Sequence, residues 1–307
     1  MRIGLTGGGT TADRMVGQAS RAEADGFTSM WYPSAAGGGD PLPVMTLAGR
    51  ATASIELGTA VLQTYACHPV LQASRANAVA FAIGAPGRLT LGVGPSHQGP
   101  IEDRLGLSYD TPGLHTDEYV QVLDGLLRGE RVRFAGRQFR VDAGPLPLLA
   151  GAEIPVLVGA LGSRLLRVAG AYTAGTILWM ANATAIEAHV APTIRKAAAD
   201  AGRPAPRIVA GLPVAVHDDV AEARAAAAGL FRVYGELPNY QRILARGGIA
   251  GPGDAVLAGD EDSVAAQVRA LFAAGATDVW AAPFPVGGDP AASRARTRAL
   301  LASLARE

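Results

Sequence analysis

The sequence predicts a (β/α)8 barrel, and three observations indicate this fold. Short runs rich in β-branched residues alternate with longer alanine-rich segments of helical period along the 307 residues. Eight such strand–helix units follow one another, the number that closes a parallel barrel. The alternative, an open doubly wound sheet, is a poor match: "LTGGGTTAD" lacks the Gly-x-Gly-x-x-Gly spacing, and no acidic residue follows "SMWYP". We therefore expect residues 1–307 to form one barrel domain.

The eight predicted strands share a short apolar stretch that often ends in glycine or proline. In chain order they are Arg2–Thr6, Ser29–Pro33, Glu56–Leu62, Leu89–Gly94, Pro155–Gly159, Gly175–Met180, Ile208–Val216 and Asp278–Phe284. The segments between them carry apolar residues at helical spacing. The predicted helices are Ala12–Ala24, Leu71–Ile83, Thr116–Arg128, Ser163–Ala171 and Ser263–Ala274.

Two segments do not fit the strand–helix alternation. Gly129–Ala152 alternates Val, Phe and Val around "AGRQ", a pattern typical of a β-hairpin that leaves the barrel. Tyr234–Gly259 is rich in glycine and proline and carries several polar side chains, so we predict an insertion near the mouth of the barrel.

Composition excludes several classes of function. Positive and negative side chains balance at 27 each, so no basic surface for nucleic acid or an anionic membrane is expected. The one cysteine, Cys67, cannot form an intramolecular disulfide. Lys196 is the one lysine and lies in a segment typical of a solvated helix, which argues against Schiff-base chemistry. The N-terminus lacks the pattern of a signal peptide, so we predict a cytoplasmic protein.

Chemistry in such a barrel sits at the C-terminal ends of the strands. His97 follows the strand "RLTLGVG" and is therefore a candidate acid or substrate contact, although a loop histidine can also simply bond to backbone. Gly159–Ser163 leads into a helix, whose N-terminus favours a phosphate; the alternative is an ordinary turn with Ser163 as the helix N-cap. Gly92 and Gly94 suit a bound ligand or merely close strand packing.

Four segments in order carry a family resemblance. "ELGTAVLQTYACHP", "GAPGRLTLGVGPSHQ", the stretch "GERVRFAGRQFRV" and "IPVLVGALGSRLLRVAGAYTAGTILWM" together resemble the bacterial luciferase-like monooxygenase superfamily. The likeness covers most of the chain, and the branch it resembles best uses the deazaflavin coenzyme F420. The resemblance implies an F420-dependent oxidoreductase that is usually a homodimer, and a non-proline cis peptide at Ala60–Val61 behind the deazaflavin ring.

The resemblance also implies roles for individual residues. The cofactor phosphate would bind Gly159, Ala160, Gly162 and Ser163, and Gly94 would lie beside the cofactor ring. Many relatives carry an acidic residue and a histidine after the second strand, whereas this chain has Ser34 and Ala35. Ser34 can hydrogen-bond the ring but supplies no charge, which argues against sugar-phosphate dehydrogenation. His97 is then the candidate proton donor, and Tyr65 and Trp179 are candidates for the substrate pocket.

Other histidines and aromatic residues have more ordinary explanations. His68 precedes Pro69 and suits the cap of the next helix. His115, His189 and His217 are predicted as helix or surface residues without metal-ligand spacing. Trp31 and Met180 are expected in the core.

Three alternatives to the F420-dependent oxidoreductase stay open on the sequence. FMN, which also has a ring, a ribityl chain and a phosphate, would use the same loop in a monooxygenase. A non-catalytic cofactor-binding protein is suggested by Ser34 and Ala35. A phosphate-binding barrel without a redox cofactor is the third hypothesis.

Overall fold

The computed structural model describes residues 1–34, 39–147, 151 and 154–307. The strands are β1 Ile3–Thr6, β2 Ser29–Tyr32, β3 Glu56–Thr59, β4 Leu62–Gln63, β5 Leu89–Gly94, β6 Val132–Ala135, β7 Arg140–Ala143, β8 Val156–Gly159, β9 Gly175–Trp179, β10 Arg207–Val216, β11 Leu257–Gly259 and β12 Asp278–Pro283. The α-helices are α1 Ala12–Ala24, α2 Pro41–Arg50, α3 Pro69–Ile83, α4 Pro112–Leu127, α5 Ser163–Tyr172, α6 Ala183–Ala185, α7 Ala191–Asp200, α8 Val220–Leu230, α9 Arg232–Glu236, α10 Pro238–Arg246, α11 Glu261–Ala273 and α12 Pro290–Ala305.

Eight of the strands form the predicted closed parallel barrel: β1, β2, β3, β5, β8, β9, β10 and β12. The ring closes where β12 pairs with β1, with Val279 beside Ile3, and where β9 pairs with β10, with Leu178 beside Ala210. Seven predicted strands lie within one residue of the observed ends. The prediction for Glu56–Leu62 is wrong in one respect, because the strand is interrupted at residues 60–61 and continues as the short β4.

Both segments outside the barrel pattern have regular structure. The predicted hairpin is confirmed: β6 and β7 pair antiparallel, with Val132 beside Ala143. Residues 148–150 and 152–153 of that segment lie outside the described residues. The insertion at 234–259 is mostly helical; it includes α10, a 3₁₀ turn at Pro252–Ala255, and β11, which adds to the end of β10.

Side chains cap several of the helices that surround the barrel. His68 is the N-cap of α3, and its Nδ1 accepts a hydrogen bond of 3.3 Å from the amide of Val70, which confirms the prediction for this residue. Asp219 and Asp289 cap α8 and α12 in the same manner. These caps satisfy amide groups that a helix start leaves without a partner.

Large aromatic side chains fill the barrel interior. Trp31 is fully buried, as predicted, and packs in a cluster with Leu157, Ile177, Val209 and Trp280. Glycines on the neighbouring strands provide the space: a Cβ on residue 58 would lie 2.2 Å from the Trp31 ring, and one on residue 211 would lie 1.8 Å from the Trp280 ring. The interior is therefore packed, and a ligand can enter only at an end of the barrel.

An ion-pair network lies at the N-terminal end of the barrel. Arg207 donates to Glu56 Oε1 at 2.8 Å and to Asp278 Oδ1 at 2.7 Å, and Arg2 contacts the same two carboxylates. Burial of Asp278 opposes its ionisation, but the hydrogen bonds from Arg207, Thr277 and Arg2 outweigh burial and hold its pKa below the ordinary value.

Candidate functional site

A cavity of about 560 Å³ opens at the C-terminal end of the barrel, where chemistry is expected. Loops after β3, β5 and β8 and the end of strand β9 form its floor and walls, and helix α10 forms one side. Seven of the predicted site residues line it: Ala60, Val61, Gly94, His97, Gly159, Gly162 and Trp179. The strand ends thus bring together residues that are up to 119 positions apart in the sequence.

Four predicted site residues do not line this cavity. Tyr65 instead stacks on His115, with ring centroids 3.8 Å apart, and stands behind the lining residue Tyr109. Ala160 is fully buried beneath the loop. Ser163 is the first residue of α5, and Gly162 occupies the N-cap position, so Ser163 is not the cap. Ser34 is partly buried at the edge of the described residues; Ala35 lies outside them.

The peptide bond between Ala60 and Val61 is cis, as the resemblance implies. The Val61 side chain lies against two glycines on nearby strands, Gly94 and Gly159. A Cβ atom on Gly94 would lie 3.0 Å from the Val61 side chain, and one on Gly159 would lie 3.5 Å from it. Glycine at position 92 is explained by strand packing, because a Cβ atom there would lie 2.0 Å from the Thr59 carbonyl oxygen. The cavity floor is therefore a smooth apolar surface.

The turn after β8 is suited to an anion. Helix α5 starts at Ser163 without a side-chain cap, so the first amide groups of the helix have no capping partner. The space beside Gly162 is open, since a Cβ built there meets no atom within 4 Å. Amide donors and the positive end of the helix dipole favour a phosphate at such a position.

Three arginines lie at the rim near this turn: Arg164, on α5, and Arg242 and Arg246, one turn apart on α10. None of the three forms an ion pair with a carboxylate in the described part of the chain, and no Asp or Glu lines the cavity there. A chain with equal numbers of acidic and basic side chains thus has a cavity whose described lining carries arginines and no carboxylate. Sequence reasoning missed Arg242 and Arg246; their spacing in "QRILAR" was the available signal.

The loop that carries His97 is held in place by its neighbours. Tyr109 donates a hydrogen bond of 2.7 Å to the carbonyl oxygen of Ser96, whose φ is +65°. His97 itself is half-buried and lies 5.8 Å from the Tyr240 ring. Burial lowers the pKa of His97 below its ordinary value, so the neutral ring dominates at neutral pH. The ring can change charge within the acidic range, as a proton donor would.

Trp179 presents a free hydrogen-bond donor at the cavity wall. Its indole Nε1 is buried and has no partner in the described part of the molecule, whereas Nε1 of the adjacent Trp280 donates to the Leu178 carbonyl oxygen at 3.0 Å. The next residue, Met180, has a positive φ of +61°, which among the described non-glycine residues it shares with Ser96 alone. Such backbone conformations are sparsely populated and concentrate at functional sites.

His115 and His189 were predicted as helix or surface residues, and both lie in helices rather than at the surface. Only 8% and 7% of their surfaces are exposed. His115 is covered by Tyr65 and Phe139. His217 does lie near the surface, where it contacts Glu222. The described residues contain no group of three or more His, Cys, Asp and Glu that could hold a metal ion.

A closed (β/α)8 barrel with an apolar-floored cavity, an uncapped helix N-terminus and flanking arginines has features that suit an anionic small molecule at its mouth. The comparison with protein families is more specific. The model of the luciferase-like monooxygenase family matches residues 2–306, and the chain belongs to this family.

Curated relatives include F420-dependent enzymes. The chain is 29% identical to a 5,10-methylenetetrahydromethanopterin reductase of Methanolobus tindarius, over 92% of this chain and 85% of the relative. It is 32% identical to the F420-dependent hydroxymycolic acid dehydrogenase of Mycobacterium tuberculosis, over 70% of this chain and 62% of that protein. An F420-dependent glucose-6-phosphate dehydrogenase of Nakamurella multipartita is 32% identical over 53% of this chain and 48% of the relative.

Solved structures confirm the fold. The coenzyme F420-dependent tetrahydromethanopterin reductase of Methanopyrus kandleri superposes with a TM-score of 0.76 at 21% identity, covering 98% of this chain and 97% of the other. The oxygenating constituent of an FMN-bound Baeyer–Villiger monooxygenase from Pseudomonas putida superposes with a TM-score of 0.75 at 18% identity, covering 100% and 98%. No helix in the described ranges is long and apolar enough to cross a membrane.

Proposed function

We propose that this protein is an F420-dependent oxidoreductase that transfers a hydride between the deazaflavin C5 and a small unsaturated or carbonyl substrate. The observation that carries the proposal is the uncapped start of α5 beside three rim arginines, next to an apolar floor at Ala60–Val61. Curated relatives that are named as F420-dependent dehydrogenases support the choice of cofactor.

The residues of the cavity fit the parts of this cofactor. The amide groups at Gly162 and Ser163 would bind the phosphate, and Val61, Gly94 and Gly159 would lie against the ring. Arg242 would meet the carboxylates of the oligoglutamate tail at the rim, and Arg246, which His189 links to the turn before α5, would meet the phosphate. The cavity volume of about 560 Å³ lies within the range of sites that bind a cofactor or drug-sized ligand.

When bound, the cofactor would supply hydride chemistry, and this chain would supply orientation and a proton. For reduction of a carbonyl, the carbon would gain the hydride and the His97 cation would give its proton to the oxygen and return to the neutral form. No carboxylate lines the described cavity, so His97, whose pKa is lowered by burial, is the candidate proton donor there. Trp179 would donate its indole N–H to the substrate.

Titration of the purified protein with F420 and, separately, with FMN tests the choice of cofactor. We expect F420 fluorescence to be quenched at micromolar protein, and FMN to bind at least tenfold more weakly. Tight binding of FMN alone would replace the proposal with oxygen chemistry. Binding of F420 without turnover of any carbonyl, enone or imine would support the non-catalytic alternative.

We also propose that the protein is a homodimer. Leu47 on α2 and Leu71 and Phe81 on α3 are each more than half exposed, and α2 and α3 are packed together. Large exposed apolar side chains on neighbouring helices are typical of an interaction surface. Sedimentation velocity should give twice the mass of the 31.3 kDa chain, and Phe81→Glu should shift the protein toward monomer. The cytoplasmic location stays a prediction.

A further inference from the structure

A buried histidine connects two parts of the cavity that are distant in sequence. Nε2 of His189 lies 3.0 Å from the carbonyl oxygen of Leu161, in the turn that precedes α5. Its Nδ1 is hydrogen-bonded by the guanidinium of Arg246, at the end of α10. His189 lies on a π-helical turn, Ile186–Val190, between α6 and α7. Such wide turns are rare and are often found at functional sites.

The two partners determine the protonation state of the ring. The Leu161 carbonyl can only accept, so Nε2 carries the hydrogen and donates it. The guanidinium of Arg246 can only donate, so Nδ1 must hold a lone pair. Burial lowers the pKa of His189, the Leu161 bond opposes this, and Arg246 lowers it further, so the neutral ring is favoured.

A second contact holds the same end of α10. Asn182 Nδ2 donates to the Gly247 carbonyl oxygen at 2.9 Å, while Asn182 Oδ1 accepts from the Ala185 amide at 3.0 Å. Gly247 is required there, since a Cβ would lie 2.5 Å from Asn182 Oδ1. The backbone of α10 therefore stays in place without His189, and the histidine acts on the Arg246 side chain and the Leu161 turn.

We propose that His189 is a positioning residue that holds Arg246 and the Gly159–Ser163 turn in one arrangement for binding a phosphate-type anion. The inference deepens the proposed function, because it concerns the same anion site. His189 itself does not line the cavity, and its effect on the ligand passes through Arg246, which does. An exposed arginine without such a partner samples many rotamers and loses more entropy when it binds.

The test compares four variants and one control variant by F420 and FMN titration, with inorganic phosphate as a competitor. His189→Ala should weaken binding about tenfold, the usual value of a charge-assisted hydrogen bond. His189→Gln should restore most of the affinity, because its amide offers a donor and an acceptor on one side chain. Arg246→Ala should match His189→Ala, and the double variant should be no weaker than either, since both remove one contact. His217→Ala, at a histidine outside the cavity, is the control.

A second readout distinguishes positioning from folding stability. The dependence of affinity on salt should be shallower in His189→Ala than in the native chain, with the melting temperature of His189→Gln unchanged. Equal affinities for native and His189→Ala protein, or fully additive losses in the double variant, would overturn the inference and leave the proposed function intact. A native chain that binds none of the three probes would overturn both.

Discussion

The two ends of this barrel carry the same kinds of charged side chain in opposite arrangements. At the N-terminal end, Arg2 and Arg207 are matched by Glu56 and Asp278, and each carboxylate has two arginine partners. At the C-terminal end, the rim arginines have no carboxylate partner in the described part of the chain. Paired charges serve the fold, whereas unpaired charges of one sign at a cavity mark a site for an oppositely charged ligand.

The largest expected effect is a loss of stability when the ion-pair network at the N-terminal end of the barrel is broken. Arg207→Gln leaves Glu56 and Asp278 with less of their positive charge, and loss of one partner of a buried pair costs about 3 kcal/mol or more of unfolding free energy. Cofactor affinity should not change. Urea denaturation measures the first effect and F420 titration the second. Arg224→Gln, at an exposed arginine of α8, is the control and should change stability by about 0.5 kcal/mol or less.

The same network predicts an acid response. The pKa of Asp278 is lowered in the folded protein, so its contribution to stability is present above the pKa of the unfolded chain, 3.8, and is lost as pH falls through the lower folded value. Denaturation of the native chain and Arg207→Gln between pH 5 and pH 2 should therefore converge toward acid. Parallel curves would contradict the role given to this network.

Removal of the proton donor should affect turnover and not binding. His97→Ala should lower kcat by about 100-fold, a common contribution of a general acid, with the F420 dissociation constant unchanged. Because burial lowers the pKa of His97, the rate in the native enzyme should fall as pH rises through a value below 6.5. His68→Ala, at a helix cap outside the cavity, is the control. Unchanged turnover in His97→Ala would remove this residue from the mechanism.

Removal of the rim arginines should mainly lower F420 affinity, whereas Arg207→Gln should mainly lower stability. The double variant Arg242→Ala/Arg246→Ala should lower F420 affinity by about 30-fold, the sum of two exposed charged contacts that are partly screened by salt. Stability should fall by about 1 kcal/mol, because neither arginine is paired with a carboxylate but Arg246 donates to the buried His189. A loss of stability equal to that of Arg207→Gln would show that the two ends do not differ as described.

The smallest expected effect concerns the cavity wall. Trp179→Phe keeps an aromatic ring against Trp280 but removes the unpartnered indole N–H. Substrate KM should rise about fivefold, the value of one neutral hydrogen bond, while F420 affinity stays constant. Trp280→Phe, which removes a donor already bonded to the Leu178 carbonyl, should instead lower stability.

The barrel could be predicted because its signals are local. Each strand is a short and mostly apolar run, and seven of the eight were located within one residue. The resemblance located the cis peptide and the turn at Gly159–Ser163. The roles of Arg246 and His189 were missed because they depend on a contact between residues 57 positions apart in the sequence. The contact between Asn182 and Gly247 joins residues 65 positions apart. The insertion that carries α10 has no strand–helix period to indicate which face meets the cavity.

The most direct test of the contrast between the two ends is a titration of F420 into native protein and into Gly162→Asp. An aspartate at this N-cap position should stabilise α5 by capping its amides, and it should exclude an anion from the same place. We expect a loss of affinity of more than about 100-fold, since the change removes a charged contact and adds a repulsion, with an equal or higher melting temperature. Gly229→Asp, at an exposed glycine of α8, should bind like the native chain. Equal affinity in Gly162→Asp and the native protein would show that the uncapped helix and its arginines do not form the cofactor site.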